Sequence, residues 1–237
     1  MRPQTHLRAR SAMAGLVALA LSTTLAATPA AAQVEYRDTT PNLTPTPQAG
    51  TARAASDLRV NLTRTNVLLG NRATVGGTLR PAGAGRIVRL QRRSGNGWLT
   101  IADTRTDAAG RFVVRLTPRS TGSTTIRLRF SGDEQARPAR ETLDRLNVFR
   151  KAFASWYGPG LYGNPMGCGG RLNPGTLGVA HKTLPCGTSV TLRHNGNVVR
   201  VRVVDRGPYV GGREFDLTEA TKRALGFGST GYVQTTR

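Results

Sequence analysis

The sequence predicts a mainly β protein built from two small domains. Two observations carry this. Apolar residues and arginines alternate with period two across residues 56–148, and Gly, Pro and Asn-Gly signals cut both halves of the chain into short runs. Only one stretch, Leu217–Leu225, carries the punctuation of a helix.

Taken in order, residues 1–32 read as an export signal. Arg2, Arg8 and Arg10 form a positive start, Ala12 to Ala27 an apolar run, and Ala30-Ala31-Ala32 a small-residue cleavage pattern before Gln33. The apolar run is short for a membrane span, which needs about 20 residues. No transmembrane segment is therefore expected in the mature form. Residues 33–55, rich in Thr, Pro and Ala, read as an extended linker with too little apolar surface to fold around.

Residues 56–148 are expected to form a β-sandwich of about seven short strands. Ile126-Arg127-Leu128-Arg129-Phe130 sends apolar residues one way and arginines the other. Phe112, Val114 and Leu116 repeat the pattern, as do Val88 and Leu90. Asn96-Gly97 and Asp107-Ala108-Ala109-Gly110 supply turns. On pattern alone this segment resembles an immunoglobulin-like domain. It holds no histidine or cysteine, so it reads as a cationic adhesion module or a plain spacer.

Residues 151–237 are punctuated more densely. Strands are expected at Ser189–Arg193 and Val198–Asp205, joined by the hairpin signal His194-Asn195-Gly196-Asn197. Asp216 is placed to cap a helix over Leu217–Leu225 that stops at Gly226. Cys168 and Cys186 are the only cysteines, and an even count behind an export signal reads as a disulfide. Two thiols without a spaced histidine pair fall short of a metal site, so neither a metal nor a cofactor is expected.

Charge narrows the partners. There are 34 Lys and Arg against 13 Asp and Glu, and only three of the basic residues are lysines. Residues 56–150 contribute +11 and residues 151–237 contribute +7. Behind an export signal nucleic acid is not an expected partner, and the accessible polyanions are wall polymers and lipid head groups.

Four motifs lie in order in the second domain: Ala154-Ser155-Trp156-Tyr157-Gly158, Ala180-His181-Lys182-Thr183-Leu184-Pro185, Val204-Asp205-Arg206-Gly207-Pro208-Tyr209 and Glu214-Phe215-Asp216-Leu217-Thr218. Together they resemble the rare lipoprotein A group of cell-wall proteins. That resemblance implies a six-stranded double-psi β-barrel with one short helix over 151–237, related to expansins. It implies peptidoglycan glycan strands as partner and a lytic transglycosylase activity. In that activity an acid protonates the bond between N-acetylmuramic acid and N-acetylglucosamine, and the muramyl 6-hydroxyl attacks to leave 1,6-anhydro ends. No cysteine follows the cleavage site, so the lipid anchor of the group is not expected here, and the protein should be exported to the envelope or secreted.

The resemblance assigns the catalytic carboxyl to Asp205 and its partner to His181. Period two puts Asp205 on the face of Val199, Val201 and Val203, at the mouth of the expected core, where desolvation would raise its pKa. Arg213 could reach it and act the other way. The alternative for Asp205 is a turn acid bonded to backbone, and for His181 a half-buried ring satisfied by backbone. Asp216 matches the cleft aspartate of the expansin box, with helix capping as the alternative. Tyr157 and Tyr209 are candidates to stack on sugars, with core packing as the alternative, and Arg206 is a candidate substrate contact. Many relatives carry a glutamate just before the arginine matched by Arg171, where this chain has Gly170. A non-catalytic, expansin-like wall-binding protein is therefore the competing expectation, and an inhibitor or defence protein a more distant one.

Overall fold

The computed structural model describes residues 52–237. The expected export signal and nearly all of the expected linker lie outside the described residues.

The first half folds into two sheets over one core. Strands β1 (Asp57–Arg64), β3 (Ala73–Arg80) and β6 (Arg111–Leu116) make the smaller sheet, ordered β1-β3-β6. The larger contains β2 (Asn66–Leu68), β4 (Ile87–Ser94), β5 (Gly97–Arg105), β7 (Gly122–Phe130) and the start of β8 (Ala139–Tyr157), ordered β5-β4-β7-β8-β2. Alternate residues of both sheets meet inside: Val75, Leu79 and Val114 from one, Val88, Ile126 and Leu128 from the other, all almost fully buried. The short β2 was not legible as a separate element. It pairs in parallel with β8 over three residues.

β8 is 19 residues long and runs from the sandwich into the second domain without a break. Its later half joins β9 (Gly178–Ala180), β10 (Ser189–His194), β11 (Asn197–Asp205), β12 (Phe215–Thr218) and β13 (Gly231–Thr235) in the order β12-β9-β11-β10-β13-β8. Pairing of β8 with β12 closes these six strands into a barrel. Two of the pairings, β9–β11 and β8–β12, are parallel. Phe215, Leu217, Leu192, Val179 and Leu225 fill the interior. The hairpin falls where expected: Asn195 (φ 47°) and Gly196 (φ 89°) form a two-residue turn whose left-handed backbone suits these residue types.

The helix α1 spans Glu219–Leu225 and stops at Gly226 in the left-handed conformation. Its N-cap is Thr218, not Asp216. The reason lies in the barrel: Asp216 and Leu217 are held extended by pairing with Ser155 and Trp156, so the helix can begin only after Thr218. The buried Thr218 hydroxyl accepts from Thr221 N and bonds Gly178 O. Asp216 is thereby released from the capping role.

Candidate active site

β9 assembles the site. Its Ala180 pairs on one side with Asp205 of β11 and on the other with Asp216 of β12. Asp216 pairs in turn with Ser155 of β8. Asp205, Ala180, Asp216 and Ser155 thus make one row across four strands, with the two aspartates two strand spacings, about 9.5 Å, apart at the backbone.

Simple alternation would keep Asp205 on the face of Val203. The structure differs because the β9–β11 register slips at Val204: Val203 stands opposite Val179, and Asp205 opposite Ala180. Val203 and Val179 belong to the core. The bulge moves Asp205 out of their row and into that of Asp216. Ala180, small and buried, stands between the two strands that carry the carboxylates.

Asp205 is half-buried. Its Oδ1 accepts the backbone N–H groups of Gly167 at 2.7 Å and Arg206 at 2.8 Å. Among the described residues no hydrogen bond reaches Oδ2. Asp216 accepts from the Ser155 hydroxyl at 2.7 Å. Burial raises its carboxyl above the ordinary aspartate range; the Ser155 bond and the Arg213 charge oppose this, and the charge of Asp205 adds to it. Arg213 therefore serves Asp216, donating to Ser155 Oγ at 3.2 Å.

Tyr157 lies beside both acids. Burial, and then the adjacent Asp205 and Asp216, push its phenol well above the usual range. Its hydroxyl is buried with no partner at full hydrogen-bond geometry, and it lies close enough to the Asp205 carboxylate for a hydrogen bond to that group to contribute to the raising. Tyr209 is 83% exposed on the loop after β11, free of the core.

His181 does not bond the Asp205 carboxylate. Its backbone N–H donates to Asp205 O at 3.2 Å. Its Nδ1 accepts from Thr183 N and Leu184 N at 3.1 and 3.0 Å. Burial lowers its pKa, Glu214 opposes, and Arg206, Arg150 and Lys182 reinforce the lowering. Nε2 faces Glu214 Oε1 at 3.9 Å, and Glu214 is gripped through both oxygens by Arg150. The Arg206 guanidinium is engaged as well, donating to the carbonyls of His181 and Leu184 at 3.0 and 2.7 Å and reaching Cys186 Sγ.

Cys168 and Cys186 form a disulfide. It ties the loop that offers Gly167 N–H to the turn that Arg206 holds. Gly170 sits in that loop at φ 75°, a conformation that a glutamate would adopt only with strain. Ser155, Gly167, Glu214, Arg150 and Arg213 complete the surroundings. Of these only Arg213 was weighed from sequence, as a neighbour of Asp205, and it acts on Asp216 instead. The others were not singled out as site residues, because each is delivered by non-local pairing or by a loop. Among the described residues no cluster of His, Cys, Asp and Glu is placed to hold a metal ion.

A closed six-stranded barrel with two parallel pairings accords with a double-psi β-barrel. Residues 150–236 match the family described as lytic transglycolase. A 107-residue stretch is 44% identical to the "Probable endolytic peptidoglycan transglycosylase RlpA" of Synechocystis sp., covering 40% of this chain and 33% of that protein. Identity is 41% over 85 residues with the Aquifex aeolicus protein of the same name, covering 35% and 38%. It is 48% over 68 residues with the "Endolytic peptidoglycan transglycosylase RlpA" of Campylobacter jejuni, covering 28% and 25%. The chain thus spans about a third of the length of the first two of these relatives. Over residues 150–236 the barrel is thus similar to the lytic transglycolase family and to proteins named RlpA.

Proposed function

We propose that this chain is an exported envelope protein that cleaves peptidoglycan glycan strands as a lytic transglycosylase. The observation that carries the reading is the row Asp205–Ala180–Asp216: two carboxyls on the strands that flank β9, that of Asp216 raised by burial and further by the charge of Asp205. The raised Asp216 carboxyl beside a second acid suits holding a proton at the site. Asp205, with Oδ2 unbonded by the described residues, is the group set against the glycosidic oxygen. The proton passes to that oxygen as the bond from the muramyl anomeric carbon breaks. The muramyl 6-hydroxyl then bonds to that carbon and returns its proton to the carboxylate. No water is consumed, so no second group is needed to activate one.

His181 acts as a positioning residue: its ring holds the 181–184 turn and its N–H holds the Asp205 carbonyl. Arg206 does the same through its guanidinium, and its backbone N–H holds Asp205 Oδ1. Tyr157 and Tyr209 are the sugar contacts, one through a half-buried ring beside the acids and one through an exposed ring.

Incubation with peptide-free glycan strands tests this. The expected result is 1,6-anhydromuramyl ends, lost in Asp205→Asn. Their absence, or their survival in that variant, overturns it. One observation favours the second reading, a binding protein that does not cut: the family glutamate is replaced by Gly170 in a backbone conformation built for glycine. That reading expects wall retention with no released fragments.

A further inference from the structure

The outer face of the sandwich's larger sheet is an array of arginines. In register across three strands stand Arg89, Arg129 and Arg140, and the next row places Gln91, Arg127 and Thr142 together. Arg93 follows opposite Trp98, and Arg145 opposite Thr125. Neighbouring guanidinium stems are separated by about 4.8 Å across strands and about 6.7 Å along them. Among the described residues none of these arginines forms an ion pair. Asp103, opposite Arg89 at the β4–β5 edge, is the acid that register sets on the face. Glu141 stands in register with inward-facing Leu128, and Asp144, beside Arg145, lies where the β7–β8 register slips.

The charges are close enough to oppose one another. Burial pushes the Arg127 guanidinium down, and Arg129, Arg140 and Arg93 push it further. Arg200 of the barrel acts similarly on Arg145, so the field continues onto β11. A cavity of about 430 Å³ opens between Arg127, Arg129 and Arg140, floored by Phe130 and Pro138. Such an array is held apart from its counter-charge by the fold itself, and an anion laid across it would relieve the repulsion.

The chemistry of the face selects among polyanions. Its one large aromatic ring, Trp98, is covered by Arg127 at 4.2 Å and approached by Arg93 at 5.6 Å. These guanidinium contacts compete with a sugar for the ring, which disfavours an anionic polymer recognised through its pyranose rings. Among the described residues, none of the large exposed apolar side chains projects from these rows, so these rows offer nothing to insert in a bilayer. Arg145 is held by Ser123 and Thr125, and Arg89, Arg93 and Arg127 each donate one bond, to Ser131, Gly95 and Gln91. What remains, with Arg129 and Arg140, is a set of planar forks suited to the paired oxygens of phosphate.

We infer that the outer face of β5-β4-β7-β8 binds a linear phosphodiester polymer, such as a polyol-phosphate chain of a cell envelope. The sandwich is then a wall-polymer anchor, whatever the barrel does to glycan. This inference rests on the first domain alone and is independent of the catalytic reading.

The test is binding of the purified full-length chain to poly(glycerol phosphate), measured against salt. The variant Arg89→Gln/Arg129→Gln/Arg140→Gln changes three side chains that support no core packing. Its log–log salt slope should fall by about two, at roughly 0.7 per lost contact for a single-stranded polyanion. A control, Arg64→Gln/Arg72→Gln/Arg115→Gln, removes equal charge around a different cavity and should leave the slope nearly unchanged. Equal loss in both variants would reduce the effect to net charge and overturn the assignment. Tighter binding to polygalacturonate or to phosphatidylglycerol vesicles than to poly(glycerol phosphate) would overturn it too.

Discussion

Asp205 and Asp216 stand on either side of Ala180, in one row of the barrel wall, although eleven positions separate them in the chain. The row exists because β11 slips by one residue at Val204 and because β12 stays extended through Leu217. Each acid is bonded differently: Asp205 by backbone N–H groups, Asp216 by a serine hydroxyl. The Asp205 charge contributes to the raised carboxyl of Asp216.

Removing that charge should therefore be visible at its neighbour. In Asp205→Asn the Asp216 carboxyl should titrate at lower pH than in the parent, since one of the influences raising it is gone while the Ser155 bond and Arg213 remain. Carboxyl carbon NMR across an acid titration reads this directly. An unchanged Asp216 titration would mean the two acids do not share a field. Activity in the same variant should fall by roughly a hundred- to ten-thousand-fold, as for loss of a general acid.

Asp216 also makes a prediction about stability. Its folded pKa is raised, so the native state binds its proton more tightly than the unfolded chain. The resulting stabilisation is complete below the unfolded value of about 3.9 and is lost as pH rises through the folded value. At neutral pH Asp216 is thus a net cost, and Asp216→Asn, which keeps an acceptor for Ser155, should melt no lower than the parent. Its advantage should vanish near pH 3. A large destabilisation at neutral pH would show that the Arg213 attraction outweighs burial.

His181 offers two separable functions in one ring. Nδ1 accepts two backbone N–H groups, and the carboxamide oxygen of asparagine reaches the same place. His181→Asn should keep the turn, whereas His181→Ala should cost about 1 kcal/mol for each donor left unpaired. The lowered folded pKa means that native stability falls as pH drops below about 6.5, because the unfolded chain takes up the proton first. Melting curves from pH 7 to 5 should show that slope in the parent and not in His181→Asn.

Much of this arrangement was legible from residue order, and the rest was not, for definable reasons. The alternation of Val88, Leu90, Phe112, Val114, Ile126 and Leu128 marked their inward face, because every one of these strands has one wet side. The Asn195-Gly196 turn announced itself through the backbone it requires. Asp205, His181, Tyr157 and Asp216 all gather at the same end of the barrel. Local rules failed where pairing overrode them: the bulge at Val204 reversed the face of Asp205, and β12 displaced the helix cap from Asp216 to Thr218. Ser155 carries no local signal, and Arg213, expected beside Asp205, meets Ser155 and Asp216 instead because β8 lies beside β12.

The disulfide joins stability to the site and lets the two be separated. Cys168 and Cys186 are 18 positions apart, so the bridge removes about 3 kcal/mol of unfolded-state entropy. Cys168→Ala/Cys186→Ala should lower the melting temperature by roughly 6–12 °C in a chain of this size. A staple that did nothing else would leave the folded loop as it is. Here, however, Gly167 donates to Asp205 Oδ1 from the residue next to Cys168. Hydrogen exchange of the Gly167 amide should accelerate well below the melting transition of the variant, and turnover should fall with the fold still intact. Exchange at Gly167 matching the parent would confine the bridge to stability, and the hold on Asp205 would then rest on Arg206 N and the β-bulge.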